Sequence, residues 1–246
     1  MAVFKDQPEK KEHNALIAGK RWWNAVSGHF MFNVCMGAIH CVSLLPTVVL
    51  VYLFWNTKGL VFLAAAILLD GLSGVVWAAI HRMAWELQFG FPTYLFRTFW
   101  KHLRTNIRQG WCLGVFFAVM WSLNISPLAT AELLGKELPF ALVCIMGIFG
   151  LLLPVLSACA YYQIGRWQMS LGTVLRNSLL LLINIGPPGV AIIVVWALFA
   201  AAILFAGSIV IPACLFCGLT VVICMTTQAF FVPRIDKQMM AASSNK

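Results

Sequence analysis

The chain has 246 residues, of which 61% are hydrophobic and only 10% charged, and it carries a formal net charge of +9. A soluble domain is about half apolar and about a quarter charged, so this composition excludes an ordinary water-soluble fold. Several apolar runs exceed the roughly eighteen residues that a membrane-spanning helix needs, which predicts an all-α, polytopic membrane protein.

The first 28 residues, with DQPEKKEH followed by KRWW, are too short and polar to form a domain. Residues 1–28 read as a cytoplasmic segment in which Trp22 and Trp23, beside Lys20 and Arg21, make an interfacial anchor. A membrane domain is expected over 29–232 and a polar cytoplasmic tail over 233–246. The first apolar run begins near His29, is too long for a signal h-region and lacks an A-x-A cleavage site. It therefore reads as a retained span.

The apolar runs predict six spans: Phe30–Trp55, Gly59–Ile80, Trp111–Ala131, Leu138–Tyr161, Pro187–Ala206 and Ile209–Phe231. Gly207-Ser208 would make the tight outer turn between the last two. Of the 17 Lys and Arg residues, all but Lys58 and Lys136 fall on one side of this arrangement. By the positive-inside rule that side is the cytoplasm, so both termini are placed inside. No internal repeat of the kind that marks many secondary transporters is visible.

Between the second and third spans lies LFRTFWKHLRTNIRQGW, Leu95 to Trp111. On a helix over Pro92 to Gln109, the side chains of Phe96, Phe99, Trp100, Leu103 and Ile107 form one apolar stripe. Arg97, Lys101, Arg104 and Arg108 form a second stripe beside it. A helix of this kind lies in the membrane interface, with bases at anionic headgroups worth about 1 kcal/mol each. Nucleic acid is not the expected partner, because the aromatics are segregated from the bases rather than interleaved with them. Docking of the apolar stripe on another subunit is the competing expectation. A second short element, Trp167 to Ile185, is apolar but too short to span. It is cut by Gly186-Pro187-Pro188-Gly189, which forces a helix break at the inner end of span five.

Asp70, in ILLDGLSGVV, is an acid in the middle of a span. Insertion of such a charge costs about 2.5–3.5 kcal/mol, so it should face the bundle interior or be protonated. With spans one and two folded as a hairpin, His40 lies about 25 Å and Asp70 about 20 Å from the outer end, which puts His40 and Ser43 within reach of Asp70. An Asp70–His40 pair would make a proton or cation site. The alternative is a structural hydrogen bond or neutral carboxyl, with Gly71, Ser73 and Gly74 allowing close helix packing. Gly110-x-x-x-Gly114 is a further helix-packing candidate, and Asn33, Asn124, Asn184 and Tyr161 are expected to join helices rather than bind ligands.

The remaining chemistry is sparse. The eight cysteines all fall in apolar segments, where they act as small buried hydrophobes. Cys214-x-x-Cys217 raises a remote thiol-oxidoreductase alternative, but the outer loops have no shuttle cysteines. The histidines show no metal-ligand spacing, and no nucleophile elbow, Walker loop or dinucleotide fingerprint is present. Neither a cofactor nor a metal is expected.

Three pieces, FNVCMGAIHCVSLLP, FRTFWKHLRTNIRQG and MSLGTVLRNSLLLLINIGPPG, resemble in order and spacing the YesL-like family of small bacterial integral-membrane proteins. The resemblance covers roughly residues 20–235. It implies about six helices in the cytoplasmic membrane and an association with carbohydrate ABC importers and sugar-degrading enzymes. It carries no catalytic residues. Two functions are therefore expected to compete. One is a non-catalytic accessory or scaffold subunit of a carbohydrate importer, docking through the Phe96/Trp100 face. The other is a small-solute or proton-coupled carrier with Asp70 and His40 in its path.

Overall fold

A computed structural model describes residues 15–89, 94–167 and 169–183, together with the isolated positions 190, 193, 194 and 197. Six helices and no strand occur among these residues: α1 (Ala15–Gly28), α2 (Phe30–Thr57), α3 (Leu60–Gln88), α4 (Leu95–Leu134), α5 (Phe140–Arg166) and α6 (Leu171–Ile183). Four of them, α2 to α5, are long and apolar enough to cross a membrane, and each overlaps one of the first four expected spans. The fifth and sixth spans, the Gly186–Gly189 break, Asn184, Cys214, Cys217 and the tail lie outside the described residues.

The core is built around α3. From Ser73 to Gln88 every residue of this helix is buried except the partly buried Arg82 and Glu86. A helix apolar on all faces belongs in the centre of its bundle, and Val75, Trp77, Ile80, Met83 and Ala84 give α3 that character. Helices α2, α4 and α5 pack around it, and α1 closes one side through Ala25 and the partly buried Trp22. Asn33 near the start of α2 donates through Nδ2 to the carbonyl oxygens of Ala25 and Val26 at 3.2 and 3.1 Å. It thereby satisfies carbonyls that the end of α1 leaves without helical partners. Trp23, the other half of the expected anchor, is exposed.

Close backbone approach makes the α3–α4 contact. A Cβ on Gly74 would sit 2.5 Å from the Gly110 carbonyl oxygen and 2.7 Å from the Gly114 Cα. A Cβ on Gly114 would lie 2.6 Å from the Asp70 carbonyl oxygen, and one on Gly71 would collide with the Trp111 indole. The two glycine pairs read separately in the sequence are thus the two halves of one crossing. Further out, Pro127 removes the amide that would bond the Leu123 carbonyl, and Ser126 Oγ donates to that oxygen at 3.0 Å, so α4 continues through the proline.

One expectation is corrected. The basic segment is helical from Leu95, but it is no separate element lying across the membrane surface. It runs without a break into the third span as a single helix of 40 residues. At Gly110, where a helix end was expected, the residue is buried against Gly74 and Val75, and α4 passes through this close contact with α3 uninterrupted.

Candidate functional site: a histidine–tryptophan column on the central helix

Along α3, Asp70, Ser73, Trp77 and His81 follow the i, i+3, i+7, i+11 pattern and share one face. His40 reaches this face from α2. Its Nε2 lies 3.3 Å from Ser73 Oγ, and its ring stacks on Trp77 with centroids 4.6 Å apart and planes at 24°. His81 meets Trp77 edge-on at 5.1 Å, and the ring of Tyr161 from α5 lies nearly parallel to His81 at 6.5 Å. Phe117 from α4 closes the far side of Tyr161 at 5.8 Å. Four helices thus contribute to a cluster holding two imidazoles inside the bundle, and His81 is only 1% exposed.

The expected polar group is distributed as follows. His40 is buried and tied to Ser73, one helical turn from Asp70. Ser43 Oγ donates at 2.7 Å to the carbonyl oxygen of His40 itself, a local helix contact. Asp70 is half-buried, with its backbone in the glycine crossing. His40 Nε2 can donate to or accept from Ser73 Oγ according to its tautomer. Among the described residues, no group of three or more His, Cys, Asp or Glu side chains has the spacing to hold a metal ion.

At the C-terminal end of α3 a second polar group forms. Glu86 Oε1 accepts from Arg82 Nε at 3.2 Å and lies 3.0 Å from His102 Nε2 on α4. Arg166 at the end of α5 donates through Nη1 to Tyr162 Oη at 2.8 Å. Sequence reading passed over Trp77, His81, Glu86, His102 and Arg166. The signal that would have found the first two is their spacing from Asp70 on one helix.

On the first half of α4 the apolar stripe divides. Phe99 is 6% exposed and packs into the core with partly buried Leu103, whereas Phe96, Trp100 and Ile107 are 67%, 55% and 53% exposed. The core-facing line is Phe99, His102, Asn106, Gly110 and Leu113. Arg97, Lys101, Arg104 and Arg108 are all exposed on the other side of the aromatic strip. The helix therefore carries three parallel strips: one packed, one apolar and uncovered, one basic.

Asn124 Nδ2 on α4 donates to the Met146 carbonyl of α5 at 3.3 Å, and Gln163 Nε2 donates to Ser178 Oγ of α6 at 2.8 Å. Asn33 and Asn124 are thus the helix-joining groups expected of them. Cys159 is fully buried in the apolar core, as its type favours.

Four helices long and apolar enough to cross a membrane mark the chain as a multi-pass integral membrane protein. No family model matches this chain, and no curated protein or solved structure matches it. The YesL-like resemblance rests on the three sequence pieces alone.

Proposed function

We propose that this protein is a non-catalytic accessory or scaffold subunit of the bacterial cytoplasmic membrane, associated with a carbohydrate ABC importer, with both termini in the cytoplasm. One observation carries the reading. The exposed Phe96, Trp100 and Ile107 strip lies on a helix of 40 residues. At 1.5 Å per residue such a helix is about 60 Å long, roughly twice the hydrocarbon thickness. The half bearing these aromatics extends beyond the acyl chains, where large apolar side chains call for a protein cover. The flanking Arg97, Lys101, Arg104 and Arg108 fit an apolar groove rimmed by acidic side chains, and the bases nearest the bilayer also suit anionic headgroups. The importer itself enters through the YesL-like resemblance, and the inward orientation through the one-sided distribution of bases.

The test is co-purification from native membranes in mild detergent, with mass spectrometry of what accompanies the chain. A stoichiometric importer permease or ATPase, lost when Phe96→Ala and Trp100→Ala are combined, is the expected result. A clean monomer or homo-oligomer from wild-type membranes contradicts it.

A second reading, a proton-coupled or small-solute carrier, is favoured by the buried His40–Ser73 contact one turn from Asp70. It predicts that Asp70→Asn abolishes proton flux in proteoliposomes while the protein stays folded. The accessory reading predicts a mild effect.

A further inference from the structure

Asp70 sits where the packed core of the bundle gives out. No residue of α2 beyond His40 is buried, none of α4 beyond Phe117, and none of α5 before Leu153. On α3 itself Ala66 is the one buried residue ahead of Gly71. Among the described residues, the half of the bundle that ends at Lys58 and Lys136 is therefore open, and Asp70 lies at its floor. It shares its face of α3 with Ser73 and Trp77, and α2 and α5 flank that face, since His40 and Tyr161 both meet the Trp77 ring. Each of the two packs on α3 rather than on the other, which leaves a groove between them.

No base of this chain is placed to match the acid. Among the described residues Asp70 takes part in no hydrogen bond and no ion pair. The Tyr161 phenol is close enough to sense its charge, but a phenol brings no positive charge. Lys58 and Arg82 each stand twelve residues away, roughly 18 Å along a helix, and meet Trp55 and Glu86 instead. From 177 to 233 the sequence has no Lys, Arg or His, so the remaining apolar runs bring no base wherever they pack. A bare cation would need several further oxygens, and Ser43 and Ser73 direct their hydroxyls to His40.

Acids inside a bilayer pair with bases, and a second subunit is the source of one that this chain lacks. We propose that the groove between α2 and α5 receives a transmembrane helix of a partner protein, whose lysine or arginine at matching depth pairs with Asp70. The inference deepens the accessory reading, because it names what the partner would bring to this chain inside the bilayer.

The experiment reconstitutes the full chain in phosphatidylcholine vesicles with dansyl-labelled single-span leucine peptides carrying Lys, Gln or no polar residue at mid-length. Energy transfer from the chain's tryptophans reads association. The lysine peptide should bind about tenfold tighter than the all-leucine peptide. Asp70→Asn should erase that preference, Asp70→Glu should keep it, and Glu132→Gln, at an exposed acid of α4, should leave it unchanged. Should Asp70→Asn fail to elute as a folded species, the lysine and leucine peptides compared on wild type still decide. No importer is present, so a failure here leaves the α4 strip untouched, and a failed co-purification leaves the peptide result standing. The proposal is overturned if wild type shows no lysine preference, if Asp70→Asn retains it, or if the glutamine peptide binds as tightly as the lysine one. Sodium that raises the melting temperature of wild type but not of Asp70→Asn, with no lysine preference, would overturn it in favour of the carrier reading.

Discussion

Gly74 and Gly110 face each other so closely that a Cβ on Gly74 would stand 2.5 Å from the Gly110 carbonyl oxygen. Two helix backbones in contact leave no room for a side chain, and the partner here is backbone that cannot swing aside. Gly74→Val or Gly110→Val should therefore destabilise the bundle by at least the about 1–3 kcal/mol typical of overpacking, read as a lowered melting temperature in detergent. Gly172 has open space around the position of a Cβ, so Gly172→Ala should be neutral or slightly stabilising.

The histidine–tryptophan column is expected to act first through packing. Trp77→Ala should cost about 3–5 kcal/mol, whereas Ser73→Ala, which removes one buried contact to His40, should cost about 1–3 kcal/mol. Denaturant or thermal unfolding of the purified variants checks the ordering. A larger loss for Ser73→Ala than for Trp77→Ala would show that the polar contact, not the rings, holds the column.

Asn33 is the tie between α1 and α2. Asn33→Leu leaves the Ala25 and Val26 carbonyls without that donor and should loosen α1 by about 1–2 kcal/mol. Limited trypsin digestion reads this directly, because Lys20 lies in α1 and is exposed. Faster cutting there in the variant, with the rest of the bundle intact, is the expected outcome.

The orientation has its own check. Single cysteines introduced near Lys58 and Lys136 should react with an impermeant thiol reagent added to intact cells, and one near Lys101 should stay protected until the membrane is opened. The reverse pattern would invert the topology.

Much of this architecture was legible in the sequence because lipid imposes a simple rule: every long apolar run must become a helix. Phe30–Trp55 and Leu138–Tyr161 accordingly differ from α2 and α5 by only a few residues at each end. The second span was read as ending at Ile80, while α3 continues to Gln88. Hydropathy stops at His81, Arg82 and Glu86, whereas the helix carries on, with Arg82 paired to Glu86 along α3, Glu86 meeting His102 of α4 and His81 packed on Tyr161 of α5. For the same reason α4 could not be seen as one helix. The period of the Phe96–Ile107 stripe identified the helix correctly but not its rotation. Phe99 and Trp100 are equivalent by composition, and only the Gly110 crossing and the Glu86–His102 contact turn the one inward and the other outward. Asp70 was visible as a costly buried charge. Its neighbours on the column were legible only as positions sharing its helix face, since the partners that give Trp77 and His81 a role come from α2 and α5.

The most direct test of the accessory role is photo-crosslinking in native membranes from a reactive amino acid placed at position 100, with position 99 as the inward-facing control. The account predicts a discrete adduct between residue 100 and an importer subunit, and only intramolecular products from residue 99. Lipid adducts alone from residue 100, with no protein partner, would contradict it and return the exposed strip of α4 to the membrane surface.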